Sequence, residues 1–251
     1  MNTFAGERRA KPMPAEQLNL AVSLADDTLF DNFLSAAHSP RQQALASLKA
    51  GFKDGQGTNP EGNILLWGST GSGLTHLLQA ACHAAVASGQ SIQFLPLQAM
   101  ANYPAQDVLQ GLGACQLVCL DNLQAVVALP EWEEALFHLF NDVKAAGGRL
   151  LISANGAPRA LSIQLADLES RLAASTVFQL PAYSEEETAA IVQFRAARLG
   201  LNMSEEALGF LMNRAPRDLH SLIDHLHRLD SFALQYQSKA TIPLMKKAFG
   251  W

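Results

Sequence analysis

The sequence predicts an α/β fold: a three-layer domain with a five-stranded parallel sheet, followed by a small α-helical lid domain. Three observations carry this. The glycine-rich stretch Gly68-Ser69-Thr70-Gly71-Ser72-Gly73-Leu74-Thr75 lies between the apolar run Ile64-Leu65-Leu66-Trp67 and the helical His76-Leu77-Leu78-Gln79-Ala80-Ala81, a strand, loop and helix in succession. Short apolar runs alternate with helical patterns as far as Pro181, and beyond Pro181 only helical patterns occur.

The glycine-rich stretch has the spacing of a nucleotide-binding P-loop, G-x-x-x-x-G-K-[ST]. Gly68, Gly71 and Gly73 let the chain turn tightly with several N–H groups pointing inward, and the start of the helix adds the positive end of its dipole. Ser72, Thr75 and His76 complete the candidate nucleotide-binding set, with Thr75 also a metal ligand. Leu74 stands where the lysine belongs. That ammonium reaches the β and γ groups, and a charge-assisted hydrogen bond contributes about 1.5–3 kcal/mol, so its loss weakens triphosphate binding while backbone contacts to a diphosphate persist. A tight strand-to-helix turn without ligand is the competing reading of the glycines.

The chain has 251 residues, 49% hydrophobic and 16% charged, enough for one α/β domain and a smaller second one. No apolar run approaches the roughly 18–20 residues of a membrane span, and Met1 to Pro14 carries Arg8, Arg9 and Lys11 without the apolar segment of a secretory signal, so the expectation is a cytoplasmic protein with no membrane partner. Cys82, Cys115 and Cys119 form neither an even disulfide set nor a four-ligand metal pattern. A net charge of −5 argues against strong direct DNA binding, leaving only local basic patches.

In chain order, residues 1–16 mix charge, proline and glycine without periodicity and read as disordered. In Gln17-Leu18-Asn19-Leu20 the leucines alternate with a polar residue, which fits either a half-buried edge strand or an extended peptide that docks in an apolar pocket. Residues 1–23 are thus expected to form a flexible arm. Thr28-Leu29-Phe30-Asp31-Asn32-Phe33 leads to a helix start at Pro40, and the nucleotide-binding domain is expected over 24–181. Strands are expected at Ser91–Leu97, Gln116–Leu120, Arg149–Ala154 and Thr176–Leu180. Asp121 ends the third strand, where a carboxylate borders the ligand crevice and can hold Mg²⁺; an Asp-Asn turn is the alternative. Glu131–Ala146 and Leu165–Leu172 read as helices, the second containing Arg171. The helical domain, 182–251, has helices at Ser184–Leu199, Ser204–Asn213 and Pro216 to about Tyr236, with a last segment from the strand-like or turn-like Thr241-Ile242-Pro243. Arg217, just inside the third of these behind Pro216, faces the positive helix end, a placement easier to understand if it meets an anion across the cleft.

Gly68 to Leu77, Asp121, Asn155, Arg171 and Arg217 stand in the order of the AAA+ functional motifs, and G-x-x-G-x-G-x-T-H-L, D-N-F and S-R-L resemble the branch of the replication initiator DnaA over about residues 24–250. The resemblance implies a Walker B role for Asp121, a sensor role for Asn155, and contact of Arg217 with this chain's own nucleotide, with ADP the expected ligand and Mg²⁺ its companion. In active AAA+ ATPases a second acid commonly follows the Walker B aspartate; Asn122 cannot act as a base. Gln17, Leu18 and Leu20 resemble the peptide motif that binds the bacterial sliding clamp, the DNA polymerase III beta subunit. The layout resembles DnaA-related regulators that, with the DNA-loaded clamp, promote hydrolysis of DnaA-bound ATP and restrain re-initiation. That implies DnaA and the clamp as partners, a homo-oligomer, and Arg171 as an arginine finger acting in trans. An autonomous P-loop ATPase or kinase and a helicase- or clamp-loader accessory are the alternatives, and Leu74 and Asn122 count against the first.

Overall fold

The computed structural model describes residues 24, 25, 27–52 and 62–251; the expected arm and its clamp-binding residues Gln17, Leu18 and Leu20 lie outside them. A 3-10 turn at Phe30–Asn32 precedes α1 (Pro40–Ala50), which starts where Ser39 accepts a hydrogen bond from the Gln42 N–H and Pro40 occupies the first turn. The alternating part then runs β1 (Ile64–Gly68), α2 (Leu74–Ala87), β2 (Ile92–Pro96), α3 (Leu97–Met100), α4 (Ala105–Leu109), β3 (Leu117–Asp121), α5 (Pro130–Ala145), β4 (Arg149–Ala154), α6 (Ala166–Ala173) and β5 (Thr176–Leu180). Four helices follow without intervening strands: α7 (Glu185–Arg198), α8 (Glu205–Arg214), α9 (Leu219–Tyr236) and α10 (Ile242–Phe249). The architecture is the expected one, a parallel five-stranded sheet with helices on both faces and a helical lid.

The strands lie in the order β2-β3-β4-β1-β5, all parallel. β3 and β4 are central and buried at every residue, which is why they read as largely apolar runs, whereas β5 at the edge alternates, with Val177 exposed and Leu180 buried. Successive side chains of β3 leave on opposite faces: Val118 and Leu120 join the core under α5 and α6, Leu117 and Cys119 the core under α1 and α2. The three cysteines are free thiols, Cys82 and Cys119 being buried in that second core. A third core, built around Leu211, Leu222, Leu226 and Met245, belongs to the lid.

Two boundaries differ from expectation. α9 begins at Leu219 because Asp218 is its N-cap, accepting from the Ser221 N–H at 2.8 Å; Arg217 therefore precedes the helix and does not oppose its dipole as a member of the first turn. The segment at Thr241 is helical: Thr241 is the N-cap of α10 and Pro243 sits in its first turn, where a missing N–H costs nothing.

A buried carboxylate positions α6. Glu133 of α5, 1% exposed, accepts the N–H groups of Ala128 at 2.8 Å, Gln164 at 2.9 Å and Leu165 at 2.7 Å, the last being the N-cap residue of α6, which has no side-chain cap of its own. Replacing Glu133 with alanine leaves three backbone donors without their acceptor, and the expected loss is about 3 kcal/mol of unfolding free energy, read by urea denaturation.

Candidate functional site

The sheet order places three carboxyl ends side by side: Asp121 at the end of β3, Asn155 just beyond β4, and the glycine-rich loop beyond β1. This is the edge of a parallel sheet where ligand crevices form. The loop can exist only with glycine at its turning points. Gly71 and Gly73 hold φ of +82° and +95°, and a Cβ on Gly68 would lie 2.3 Å from the Leu180 carbonyl oxygen of β5. A Cβ on Gly73 would meet the Phe33 ring at 2.8 Å and the Tyr183 hydroxyl at 3.2 Å. Gly73 is also the N-cap of the 14-residue α2, so no side chain caps its first turn and its N–H groups are left for an acceptor from outside. Ser72 is buried beneath the loop, its hydroxyl without a hydrogen-bond partner among the described residues.

Leu74 packs as a half-buried residue against the core formed by α1, α2 and one sheet face. Thr75, one residue on, is exposed, and its hydroxyl donates to the Asp121 carboxylate at 2.9 Å. The Ser153 hydroxyl of β4 donates to the other oxygen of that carboxylate at 2.5 Å and accepts from the Asn122 N–H at 2.8 Å. Burial pushes the Asp121 carboxyl above the usual carboxylate range, and the bonds from Ser153 and Thr75 pull against it. Asn122 is held in the left-handed conformation, φ +65°, with its side-chain oxygen accepting from the Gln124 amide at 3.1 Å. Gln124 in turn accepts the Asn155 N–H at 3.1 Å, which ties the exposed Asn155 to the Asp121 turn.

His76 faces the entry segment. Its Nε2–H donates to the Leu29 carbonyl at 2.9 Å, its ring lies 5.5 Å from that of Phe33, and burial lowers its pKa. Near Gly73 and Phe33, Tyr183, from the segment that links β5 to α7, has its hydroxyl pushed up to about 12, first by burial, with the Arg41 guanidinium opposing the shift. Arg41, 3% exposed, stacks 3.7 Å above the Tyr183 ring, donates to the Pro181 carbonyl and pairs with Glu187 of α7 at 3.2 Å. Arg171 is exposed on the last turn of α6, and its side chain has no hydrogen bond or ion pair among the described residues. Arg217 is exposed and pairs with Glu185 at the start of α7 at 3.0 Å.

The glycines, Thr75 and Asp121 thus converge as expected, with Asn155 linked to them through Gln124; His76 is turned toward Leu29 and Phe33, Arg217 toward the lid, and Arg171 outward. Ser153, Gln124, Tyr183 and Arg41 belong to the arrangement and were not singled out by the sequence. Ser153 left one signal, a hydroxyl inside the buried run Leu150-Leu151-Ile152-Ser153-Ala154; the others are ordinary until the strands are ordered.

The residues fit a nucleotide with its cation. The loop supplies uncapped N–H groups for phosphate, and the Thr75 hydroxyl and Asp121 carboxylate are the hard oxygen donors that Mg²⁺ takes alongside phosphate oxygens and water.

A raised folded-state pKa means that the unfolded Asp121 ionises at lower pH than the folded one. Its charge therefore subtracts from the stability of the unliganded protein above the ordinary aspartate range, and the penalty disappears as pH falls below it. Asp121→Asn should melt at a higher temperature than the parent at pH 7.5, with the difference closing toward pH 4, in thermal unfolding without nucleotide.

Residues 24–179 match the family description "Bacterial DnaA ATPase domain", and residues 185–249 match "Hda, lid domain". An uncharacterised protein of Haemophilus influenzae is 37% identical over 233 residues, 92% of this chain and 97% of that one. Domain III of the Thermotoga maritima replication initiation protein DnaA superposes with a TM-score of 0.70 at 20% identity, covering 90% of this chain and 97% of that one. AMPPCP-bound DnaA of Aquifex aeolicus gives 0.67 at 18% identity, covering 82% and 65%.

Proposed function

The chain belongs to the DnaA-related AAA+ family and carries an Hda-type lid, and on that basis we propose that it is a nucleotide-dependent regulator that, with the DNA-loaded sliding clamp, stimulates hydrolysis of ATP held by DnaA and so prevents re-initiation of chromosome replication. The observation that carries the reading is Leu74. The loop keeps the left-handed glycines and the uncapped N–H groups of a phosphate cradle, yet the side chain at the lysine position is apolar and half-buried against the core, so the site suits holding a nucleotide better than breaking one. Asn122 agrees with this: its side-chain oxygen accepts from Gln124, and an amide takes no proton from water.

In this reading the backbone of Gly68 to Thr75 binds the diphosphate of ADP, and Thr75 and Asp121 hold Mg²⁺ when it accompanies the nucleotide. The ion would supply charge neutralisation at the phosphates. Asn155 and Arg217 respond to this chain's own nucleotide, the latter after leaving Glu185. The chemistry acts on a neighbouring molecule: a guanidinium on the exposed end of α6 neutralises charge growing on a phosphoryl group in transfer, which for fingers supplied in trans accelerates hydrolysis by about 10³–10⁵. Arg171 is free for that role among the described residues. The AMPPCP bound by Aquifex aeolicus DnaA supports a nucleotide at the related site here. Gln17, Leu18 and Leu20 tether the assembly to the clamp, and the protein works in the cytoplasm as a homo-oligomer.

Calorimetry with both nucleotides checks the first part. ADP should bind at least as tightly as ATP, because the missing ammonium withholds about 1.5–3 kcal/mol from the γ-phosphate end; clearly tighter ATP binding would contradict the reading.

The second part is read in an assay of DnaA-bound ATP hydrolysis on clamp-loaded DNA. Arg171→Ala should keep nucleotide and clamp binding and lose the stimulation by about a thousandfold, whereas replacing both Gln17 and Leu18 with alanine should lose clamp binding first. Stimulation by Arg171→Ala at the parent rate would remove the trans-acting role.

A further inference from the structure

The lid carries a surface on which aromatic rings, packed on their inner sides against the lid core and half-exposed on their outer sides, lie among exposed cations. α9 presents His225, Arg228, Phe232 and Tyr236 at steps of three, four and four residues, one stripe along a helix that spans about 16 Å over those eleven steps. The stripe continues onto the neighbouring helices. Phe249 lies 4.9 Å and Trp251 5.6 Å from the His225 ring, the latter nearly parallel at 20°, and Trp251 reaches Phe210 of α8 at 5.9 Å. These rings are half-buried, and Tyr236 is 44% exposed.

Cations alternate with the rings. The Arg228 guanidinium lies 5.1 Å from the Phe249 centroid, Arg214 and the Lys246 ammonium 5.9 and 5.8 Å from Phe210, and the Lys247 ammonium 3.8 Å from Tyr236. All four are exposed, and none is in an ion pair among the described residues. α9 carries two acids: Asp224, which pairs with His220 at 3.5 Å, and the half-buried Asp230, two residues past Arg228 and off the stripe. Four exposed cations set against the rings of adjoining lid helices, outside any ion pair among the described residues, stand out on a chain whose net charge is −5.

We propose that this face of α8, α9 and α10 is a binding track for single-stranded nucleic acid, in which the cations meet phosphates and the ring edges and faces take unstacked bases. The interleaving selects this occupant. An acidic protein segment uses the four cations and leaves the rings idle, and a duplex offers phosphates but keeps its bases stacked; a single strand uses both. The track is short and has four cations, so binding is weak and salt-sensitive, consistent with the acidic balance of the whole chain. Its place on the lid separates it from the phosphate cradle at Gly68 to Thr75.

The test is fluorescence anisotropy of a labelled fifteen-nucleotide oligothymidine with the full chain, in excess ADP so that the cradle does not compete. Duplex of equal length and an oligoglutamate peptide serve as comparison ligands. Expected are micromolar binding to the oligothymidine, a slope of about −3 in log K against log salt for four phosphate contacts, and weaker binding to both comparison ligands. Lys246→Glu with Lys247→Glu, both on an exposed helix surface, should weaken oligothymidine binding at least tenfold with an unchanged thermal melt. Trp251→Ala should weaken it about tenfold while sparing any oligoglutamate binding. Unchanged affinity in the double lysine variant overturns the proposal. So does oligoglutamate binding as tight as oligothymidine with no effect of Trp251→Ala, which would assign the face to an acidic protein segment.

Discussion

The bond between the Thr75 hydroxyl and the Asp121 carboxylate joins the two halves of the site, and the local structure is arranged around it. Asp121 is almost fully buried at the end of the central β3, in surroundings that would favour its neutral form. It stays useful as a carboxylate because Thr75 and Ser153 each donate to it, and these two donors come from α2 and β4. One side chain therefore registers the loop after β1 against β3 and β4. The same Ser153 hydroxyl accepts the Asn122 N–H and so sets the left-handed turn that leaves the strand.

Around this carboxylate the protein keeps the shape of a phosphate site and changes its chemistry. The close approach of Gly68 to the Leu180 carbonyl and the left-handed Gly71 and Gly73 are features that glycine alone allows without strain. At the lysine position an apolar side chain packs inward, and the residue after the acid is an amide already engaged by Gln124. In the proposed function this combination, cradle backbone with altered side chains, separates binding a nucleotide from hydrolysing it.

The entry segment connects this cradle to the lid. Thr28 bonds to Gln79 of α2 at 3.0 Å and the Leu29 carbonyl to His76, while the Asp27 carboxylate takes the Arg195 guanidinium of α7 and the His227 ring of α9 at 3.1 Å. Residues from the loop helix and from two lid helices thus hold the same short stretch. On the other side of the sheet, Glu133 fixes the start of α6 and hence the helix that displays Arg171. The positions of the entry segment from Asp27 and of the α6 surface both follow from specific polar contacts rather than from apolar packing alone.

The fold class, the five strands, the glycine-rich loop and the acid that ends β3 were legible in the chain, because each obeys local rules: period-two and unbroken apolar runs, glycine where φ is positive, and caps such as Ser184 with Glu187 at the start of α7. Thr75 and Asp121 could be put at one edge for the same reason, as the strand–loop–helix pattern implies a parallel sheet with its ligands at the carboxyl ends. Which strands are neighbours emerged only on folding, and the β3-β4-β1 order brings Ser153 and Gln124 into the site although 78 and 49 residues separate them from Thr75 in sequence. Folding also turned His76 to Leu29, left Arg217 before α9 in a pair with Glu185, and gathered rings and cations from three lid helices onto one face. Such pairings depend on side-chain direction and on contacts between distant segments, and neither leaves a periodic trace in the chain.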